Sequence, residues 1–448
     1  MNVSVIGLGK LGAPLAAVLA AKGHHVTGVD VNRDFVRLLA DGRAPVDEPG
    51  LQAIIDAHRA RISATTDFDA AIAASEASFV IVPTPSDTQG GFSNKYLLSA
   101  MNSIGQALRK KTGYHVVTIT STVMPGSTGG EIRRALEAAS GREVGKTLGL
   151  CYNPEFVALG TVIRDMTYPD MILIGESDPR AGDVLEEIYR KVCANNPPFQ
   201  RMNWVNAELT KISVNTFVTT RISYANMLSD MCERLAGADV DVVTHALGTD
   251  SRIGRKYLKG ALGYGGPCFP RDNVAFAHLA RSLGARADLA EATDRLNRHQ
   301  IDRLAAAVLG LLNGGSRVGV LGLSYKPDTA VIEESQGVAL AARLSEERRE
   351  VYVHDPMALP GAMARLQDKV VPMSAAEECL AMVDVAVIAT PWAQYASLPA
   401  AVFARNGTRL RVLDCWRILS RDIAAVADIH YIGSGRDDAP AKRVRAVS

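Results

Sequence analysis

Ten residues, Gly263-Tyr264-Gly265-Gly266-Pro267-Cys268-Phe269-Pro270-Arg271-Asp272, set a thiol near the end of a segment with three glycines and two prolines. No regular helix or strand tolerates that composition, so the segment is a shaped loop that brings backbone close to something. An isolated cysteine is more often a small buried hydrophobe than a reagent. Here the glycines give access to Cys268, and a helix starting after Pro267 would put Asp272 on the same face, four residues on. That is a nucleophile with a polar partner. Lys211 and Asn215 are also four apart in a helical pattern. An ammonium and an amide on one helical face can hold a hydroxyl or a developing alkoxide, although surface residues would show the same spacing. Glu155, in Asn153-Pro154-Glu155-Phe156, follows an apolar strand and is a candidate general base.

The elements that must position these groups begin at the first residue. Val3-Ser4-Val5-Ile6 is a strand, Gly7-Leu8-Gly9-Lys10-Leu11-Gly12 a glycine turn, and an Ala/Leu-rich helix follows to about Lys22. The next strand, His25-Val26-Thr27-Gly28-Val29-Asp30, ends in an acid. A lone GxGxxG is weak evidence, but the order strand, glycine turn, helix, strand, Asp points to a dinucleotide. Gly7, Gly9 and Gly12 permit the tight turn and close approach to a pyrophosphate at the helix N-terminus. Asp30 would accept from ribose hydroxyls and repel a 2′-phosphate, which favours NAD over NADP. Further strands run into Pro83-Thr84-Pro85 and Ser121-Thr122-Val123-Met124-Pro125-Gly126. Cofactors sit at the carboxyl ends of parallel strands, so Thr84 and Thr122 fall near nicotinamide and substrate, unless Thr84 merely caps a helix. Gly90-Gly91-Phe92-Ser93-Asn94-Lys95 is a polar turn placed to cover that region.

From Asn206 to about Leu247 the apolar spacing is helical, with a break expected, and a helix this long bridges domains or builds a dimer interface. After Asn313-Gly314-Gly315, βα alternation resumes with Arg317–Leu323, Val351–Asp355, Asp384–Ala389 and Leu410–Asp414. The fold class is therefore α/β, with two Rossmann-like doubly wound parallel-sheet domains joined by a central helical segment. The expected segments are 1–200 for NAD, 201–312 for the helical, dimer-forming part with the Cys loop, 313–433 for a second nucleotide-binding half, and 434–448 as an unstructured tail. A second nucleotide-binding half argues that the substrate itself carries a nucleotide.

With 49 basic and 48 acidic residues, no electrostatic footprint points to nucleic acid or an anionic membrane surface. The six cysteines show no CxxC pair and no metal-ligand spacing, as expected for reduced thiols in the cytoplasm. The immediate first strand and the lack of a long apolar run predict neither signal peptide nor membrane span.

Taken together, Gly7-x-Gly9-x-x-Gly12 with Asp30, Ser121-Thr122-Val123, Asn153-Pro154-Glu155-Phe156, Glu208-Leu209-x-Lys211-x-x-x-Asn215, Arg252-Ile253-Gly254, Gly265-Gly266-x-Cys268-x-x-x-Asp272 and Lys326-x-Asp328-Thr329 resemble the UDP-glucose/GDP-mannose dehydrogenase family over nearly the whole chain. The resemblance implies two successive oxidations of a sugar C6 alcohol to the carboxylate with two NAD, in a homodimer or larger homo-oligomer that supplies polysaccharide synthesis. It implies that Lys211 and Asn215 stabilise the oxyanion of the first hydride transfer. Cys268 would carry the thiohemiacetal and thioester, and Glu155, Thr122 and Asp272 would position or activate the hydrolytic water. Cofactor contacts fall to Gly7, Gly9, Lys10, Leu11, Gly12, Asp30, Thr84, Thr122 and Lys326. Substrate contacts fall to Phe156, Lys211, Asn215, Tyr257, Gly265, Lys326 and Arg252, the last reaching a neighbouring subunit's site.

The chain departs from the family pattern at Leu159 where a second Glu is usual, at Pro267 before the thiol, and at Glu333 where an Arg usually meets the pyrophosphate. It departs again at Pro391 and at Asp414-Cys415-Trp416-Arg417. UDP-glucose to UDP-glucuronate is the leading reaction, with a UDP-N-acetylhexosamine or GDP-mannose as the alternative sugar. A two-electron β-hydroxyacid-type dehydrogenase would lack the thiol, and a non-catalytic nucleotide sensor would not need the Lys/Asn/Cys/Glu set.

Overall fold

Short apolar strands that end in glycine or small polar residues, each followed by an amphipathic helix, can bury both faces only as a parallel sheet with helices on either side. The computed structural model describes residues 1–435 of the 448. It divides into two units, Met1–Val214 and Asn215 onward.

The first unit holds eight strands: β1 (Asn2–Ile6), β2 (His25–Val29), β3 (Ile62–Thr65), β4 (Ala77–Val80), β5 (Val116–Ile119), β6 (Gly149–Tyr152), β7 (Ile172–Glu176) and β8 (Phe199–Met202). Their order is β3-β2-β1-β4-β5-β6-β7-β8. The order of strand addition reverses between β1 and β4, which run parallel, and this opens the crevice where doubly wound sheets bind ligands. One pair departs from the expected all-parallel sheet: β6 and β7 run antiparallel, with Cys151 opposite Glu176. One apolar cluster gathers Val3, Val5, Phe79 and Val116 against Leu15 and Leu185. A second gathers Ile6, Val80, Val117 and Ile119 against Met101 and Leu136.

The second unit holds β9 (Arg317–Leu321), β10 (Glu350–His354), β11 (Val371–Pro372), β12 (Val385–Ile388), β13 (Arg411–Asp414) and β14 (Asp428–Tyr431), in the order β11-β10-β9-β12-β13-β14, all parallel. Five strands (β3, β7, β8, β11 and β14) go beyond those legible in the sequence, and four of them are sheet edges. An edge strand is solvated on one side and needs no apolar run, so it leaves little pattern.

A single helix, Trp204–Glu233, runs from the first unit into the second, and the expected break separates it from the helix Val240–Thr249. Order continues two residues past the boundary expected at 433: Ser434 bridges Asp239, and the Gly435 N–H donates to the Ala238 carbonyl at 2.8 Å. The remainder of the expected tail lies outside the described residues. No helix among them is long and apolar enough to cross a membrane.

Candidate active site

In the first unit β1 delivers the glycine turn. Gly7 has φ +99°, and a Cβ there would meet the Ile81 carbonyl oxygen at 2.0 Å, while one on Gly12 would meet the Gly7 carbonyl oxygen at 1.8 Å. Packing therefore demands both glycines. Gly9 differs, since a Cβ there would meet nothing within 4 Å. Its lack of a side chain leaves open space, which suits the close approach of a pyrophosphate. The helix Gly12–Ala21 has no side-chain cap and no acid in its first turn, so its N-terminus is free to face an anion. Asp30 accepts from the Leu8 N–H at 2.6 Å on one oxygen and from the Asn32 N–H at 2.7 Å on the other. Each carboxylate oxygen keeps further acceptor capacity, as a ribose diol requires. Lys10 is exposed and Leu11 half-buried at the same turn. These residues fit a dinucleotide.

Further along the sheet, the Thr84 hydroxyl is buried and donates to the Thr122 carbonyl at 2.7 Å, which couples the ends of β4 and β5. Beyond Thr122 the loop is clamped by Glu208, fully buried on the long helix, whose oxygens accept from the Gly126 N–H at 2.6 Å and the Thr128 N–H at 2.7 Å. One turn further along, Lys211 extends its ammonium to the Glu155 carbonyl oxygen and lies over the Phe156 ring, 4.5 Å from the centroid. Glu155 thus neighbours Lys211 through its backbone, while its side chain turns toward Tyr189, whose hydroxyl lies 3.2 Å from Oε1. A small cavity lined by Phe156, Met166, Met171 and Leu173 adjoins it. Burial in these apolar surroundings pushes the Glu155 carboxyl from its ordinary 4.5 up to about 7, with the Lys211 ammonium opposing the shift only in part.

That shift has a consequence for stability. The folded state holds the Glu155 proton more tightly than the unfolded chain, so the contribution is fully present below pH 4.5 and is lost as pH rises through about 7. Above that, wild type should be less stable than Glu155→Gln by on the order of 2–3 kcal/mol relative to their difference in acid. Thermal unfolding of the two proteins near pH 5 and pH 8 checks this. An equal gap in melting temperature at both pH values would contradict the raised value.

In the second unit the Cys loop is pinned from two sides. Asn297 accepts from the Tyr264 N–H at 2.8 Å and donates to its carbonyl at 2.9 Å, and Asn273 donates to the Tyr264 hydroxyl at 2.7 Å. The Gly266 N–H donates to the Glu333 carbonyl at 2.9 Å. A Cβ on Gly265 would meet the Glu334 carbonyl oxygen at 2.3 Å, and one on Gly266, at φ +85°, would meet the Tyr325 ring at 2.6 Å. Close approach to the segment after β9 therefore explains the glycines. Cys268 caps the helix Phe269–Ser282, with its carbonyl accepting from the Asp272 N–H at 2.8 Å, which is the predicted one-turn relation. It is exposed, while the other five cysteines are buried. A helix N-terminus favours a thiolate. Asp272 is 1% exposed, and its Oδ2 accepts from Asn215 Nδ2 at 2.6 Å while Arg271 Nε lies 3.5 Å from Oδ1. The two residues expected to act as a pair therefore have different partners: Asn215 bonds Asp272 and Lys211 bonds the Glu155 backbone.

An accessible thiol on a glycine-pinned helix cap thus stands beside a buried Asn–Asp pair, in a chain that also carries a dinucleotide turn. Family models for the UDP-glucose/GDP-mannose dehydrogenase family match as its NAD binding domain over residues 1–193, its central domain over 205–299 and its UDP binding domain over 319–421. The chain belongs to this family.

It is an NAD-dependent nucleotide-sugar 6-dehydrogenase. UDP-glucose 6-dehydrogenase AglM of Haloferax volcanii is 37% identical over 402 residues, covering 89% of this chain and 93% of that protein. GDP-mannose 6-dehydrogenase of Pseudomonas aeruginosa is 34% identical over 359 residues, 79% of this chain and 81% of that one. The solved structure of a UDP-glucose dehydrogenase from Pyrobaculum islandicum superimposes with a TM-score of 0.86 at 35% identity, over 97% of this chain and 98% of that one.

The second sheet repeats the dehydrogenase scaffold but not its acid. Gly322 has φ +109°, and a Cβ on Gly337 would meet the Gly322 carbonyl oxygen at 2.0 Å, as at Gly7 and Gly12. Asp355 ends β10 where Asp30 ends β2, yet its Oδ2 accepts from the Leu323 and Ser324 N–H groups, the Ser324 hydroxyl and Trp392 Nε1, all within 3.2 Å. Its Oδ1 accepts from Met357 and Ala358. That carboxylate is saturated and organises the loop rather than a ribose. Lys326 is half-buried on the same loop, and Tyr257, at φ +62°, sets its ring edge-on to Phe269. Arg252 is largely exposed and pairs with Asp250 at 2.6 Å. Of the departures, Leu159 packs against the first unit's core and Glu333 points to solvent while its backbone holds Gly266. Sequence reasoning gave no role to Tyr189, Asn153 or Glu208. A polar residue in an otherwise regular helix or strand end carries no signal of its distant partner.

Proposed function

We propose that the protein oxidises UDP-glucose to UDP-glucuronate, with residues 1–200 serving NAD, 201–312 the chemistry and 313–433 the nucleotide of the substrate. The single observation that carries the four-electron reading is Cys268, exposed at a helix N-terminus on a loop held by the close approach of Gly265 and Gly266 to the Glu333–Glu334 backbone. In this reading Lys211 and Asn215 stabilise the alkoxide as hydride leaves C6, and Cys268 adds to the resulting aldehyde. Oxidation of the adduct gives a thioester, and Glu155, with Thr122 and Asp272 as aids, activates the water that hydrolyses it. NAD, when bound, supplies the two-electron acceptor for each oxidation. Phe156, Tyr257, Gly265 and Lys326 are assigned to the sugar nucleotide.

UDP-glucose is preferred because the Haloferax and Pyrobaculum relatives carry that name, and because Leu159 and Glu333 are absorbed by packing and by solvent. A turnover screen of UDP-glucose, a UDP-N-acetylhexosamine and GDP-mannose should give two NADH per uronate with UDP-glucose. Turnover of GDP-mannose alone would move the assignment to the second group of relatives, and one NADH per product would remove the thioester route.

The assembly we propose is a homodimer, or a multiple of one, formed through the long helix. Phe217, Tyr224 and Met231 are 62%, 45% and 49% exposed and lie seven residues apart. A seven-residue repeat forms one seam along a helix, and aromatic and Met side chains there need a partner surface. Phe217→Glu combined with Met231→Glu should convert a dimer at low micromolar concentration to monomer in sedimentation. A dimer that survives both changes would place the interface elsewhere, and with it the role of Arg252 toward a neighbouring site.

A further inference from the structure

Behind Glu155, two side chains and one carbonyl form a chain of hydrogen bonds whose direction is fixed at its far end. The Leu173 carbonyl on β7 can only accept, and Asn153 Nδ2 donates to it at 2.9 Å. The other amide atom, Asn153 Oδ1, therefore faces Tyr189 Oη at 2.6 Å. An amide oxygen cannot donate, so the Tyr189 proton is committed to Asn153. Tyr189 has one proton, and Glu155 Oε1, the longer contact at 3.2 Å, meets the lone pairs of Oη instead. Two oxygens at that distance repel if Glu155 is ionised and attract if Glu155 carries the proton and donates it.

We propose that Tyr189 is a positioning residue that holds Glu155 in its neutral form, by accepting the carboxylic proton while donating its own to Asn153. The proposal rests on the reading of Glu155 as the base of thioester hydrolysis. The geometry is rigid. Tyr189 is 3% exposed on the helix Pro179–Val192, with its ring edge-on to Phe79 at 6.3 Å between centroids, and Asn153 is 2% exposed.

The ionisable groups around Glu155 are few. Lys211, from the long helix, favours the carboxylate, and Asp165 lines the adjoining cavity. Cys193, one turn beyond Tyr189, has its thiol pushed up to about 11 by burial and then by Glu155. Burial thus opposes Lys211 and leaves Glu155 close to neutral pH, where a base that must pick up and release a proton each cycle works best. On the geometry above, the Tyr189 lone pair acts in the same sense as burial.

The test is an infrared titration of the carboxylic C=O stretch in the free enzyme, with Glu155→Gln identifying the band. Wild type should show a Glu155 acid band near pH 6. Tyr189→Phe removes the acceptor and should lower the midpoint by about one pH unit. Asn153→Ala frees the Tyr189 proton to turn toward the carboxylate and should lower it at least as far. Absence of the wild-type band, or a midpoint that stays or rises in either variant, overturns the proposal. If Tyr189 instead donated to Glu155, Tyr189→Phe would raise the midpoint and Asn153→Ala would leave it. The acid limb of the pH profile for aldehyde oxidation tests the underlying reading separately. If the infrared midpoint falls while that limb stays in place, Tyr189 acts as proposed and Glu155 is not the base.

Discussion

Cys268→Ala should abolish uronate formation while alcohol oxidation continues, with one NADH appearing per sugar and an aldehyde, free or hydrated, as the product. The first oxidation removes a hydride from C6 and a proton from its hydroxyl, and neither needs a thiol. The second must turn an aldehyde carbon into a hydride donor. Thiolate addition does so by creating a tetrahedral alkoxide on that carbon, and hydride loss then leaves a thioester that water can open. The exposed position of Cys268 at the N-terminus of a helix favours the thiolate that this attack requires. Removing a nucleophile of this type costs on the order of 10³-fold or more in the step it serves. Cys268→Ser keeps the shape with a poorer nucleophile and should stall before the acid, part of it at the aldehyde after one NADH and part, after a second hydride transfer, as a trapped ester. Mass spectrometry of free and protein-bound product separates these outcomes. Uronate from Cys268→Ala at close to the wild-type rate would make the thiol structural.

Lys211→Ala should strike the first oxidation. Its ammonium is one turn from Asn215 on the same helix and is fixed by the Glu155 carbonyl and the Phe156 ring, so it needs no rearrangement when charge develops on the substrate oxygen. Preorganised donors of this kind are worth about 10²–10³ in kcat. We expect a loss of that size in single-turnover NADH formation from the alcohol, with NAD affinity unchanged. Lys211→Arg should rescue little, because the bulkier, longer planar guanidinium cannot put its charge where the compact ammonium meets the Glu155 carbonyl. A loss below tenfold would place the oxyanion contact elsewhere. Asn215→Ala is a useful companion, since it should also leave Asp272 Oδ2 without its 2.6 Å donor.

The sequence alone determined the parts whose signal is local. Gly7, Gly9, Gly12 and Asp30 are legible because a tight turn, close approach and a strand-end acid each demand one residue type at one spacing. Cys268 and Asp272 are legible for the same reason, and the helix that carries Lys211 and Asn215 announces itself by its period. The tertiary structure decided which residues meet across the sheet. Asn153, Tyr189 and Leu173 come together only because β6 and β7 lie side by side, an antiparallel pairing that no local pattern records. It also decided which of two similar acids can serve a ligand. Asp30 and Asp355 end equivalent strands, but Ser324 and Trp392 fill the acceptor sites of Asp355 from distant positions, while Asp30 keeps room. The physical reason is the same in both cases. Backbone geometry is set by a residue and its near neighbours, whereas a hydrogen bond is satisfied by whatever the fold brings within 3 Å or so, from anywhere in the chain.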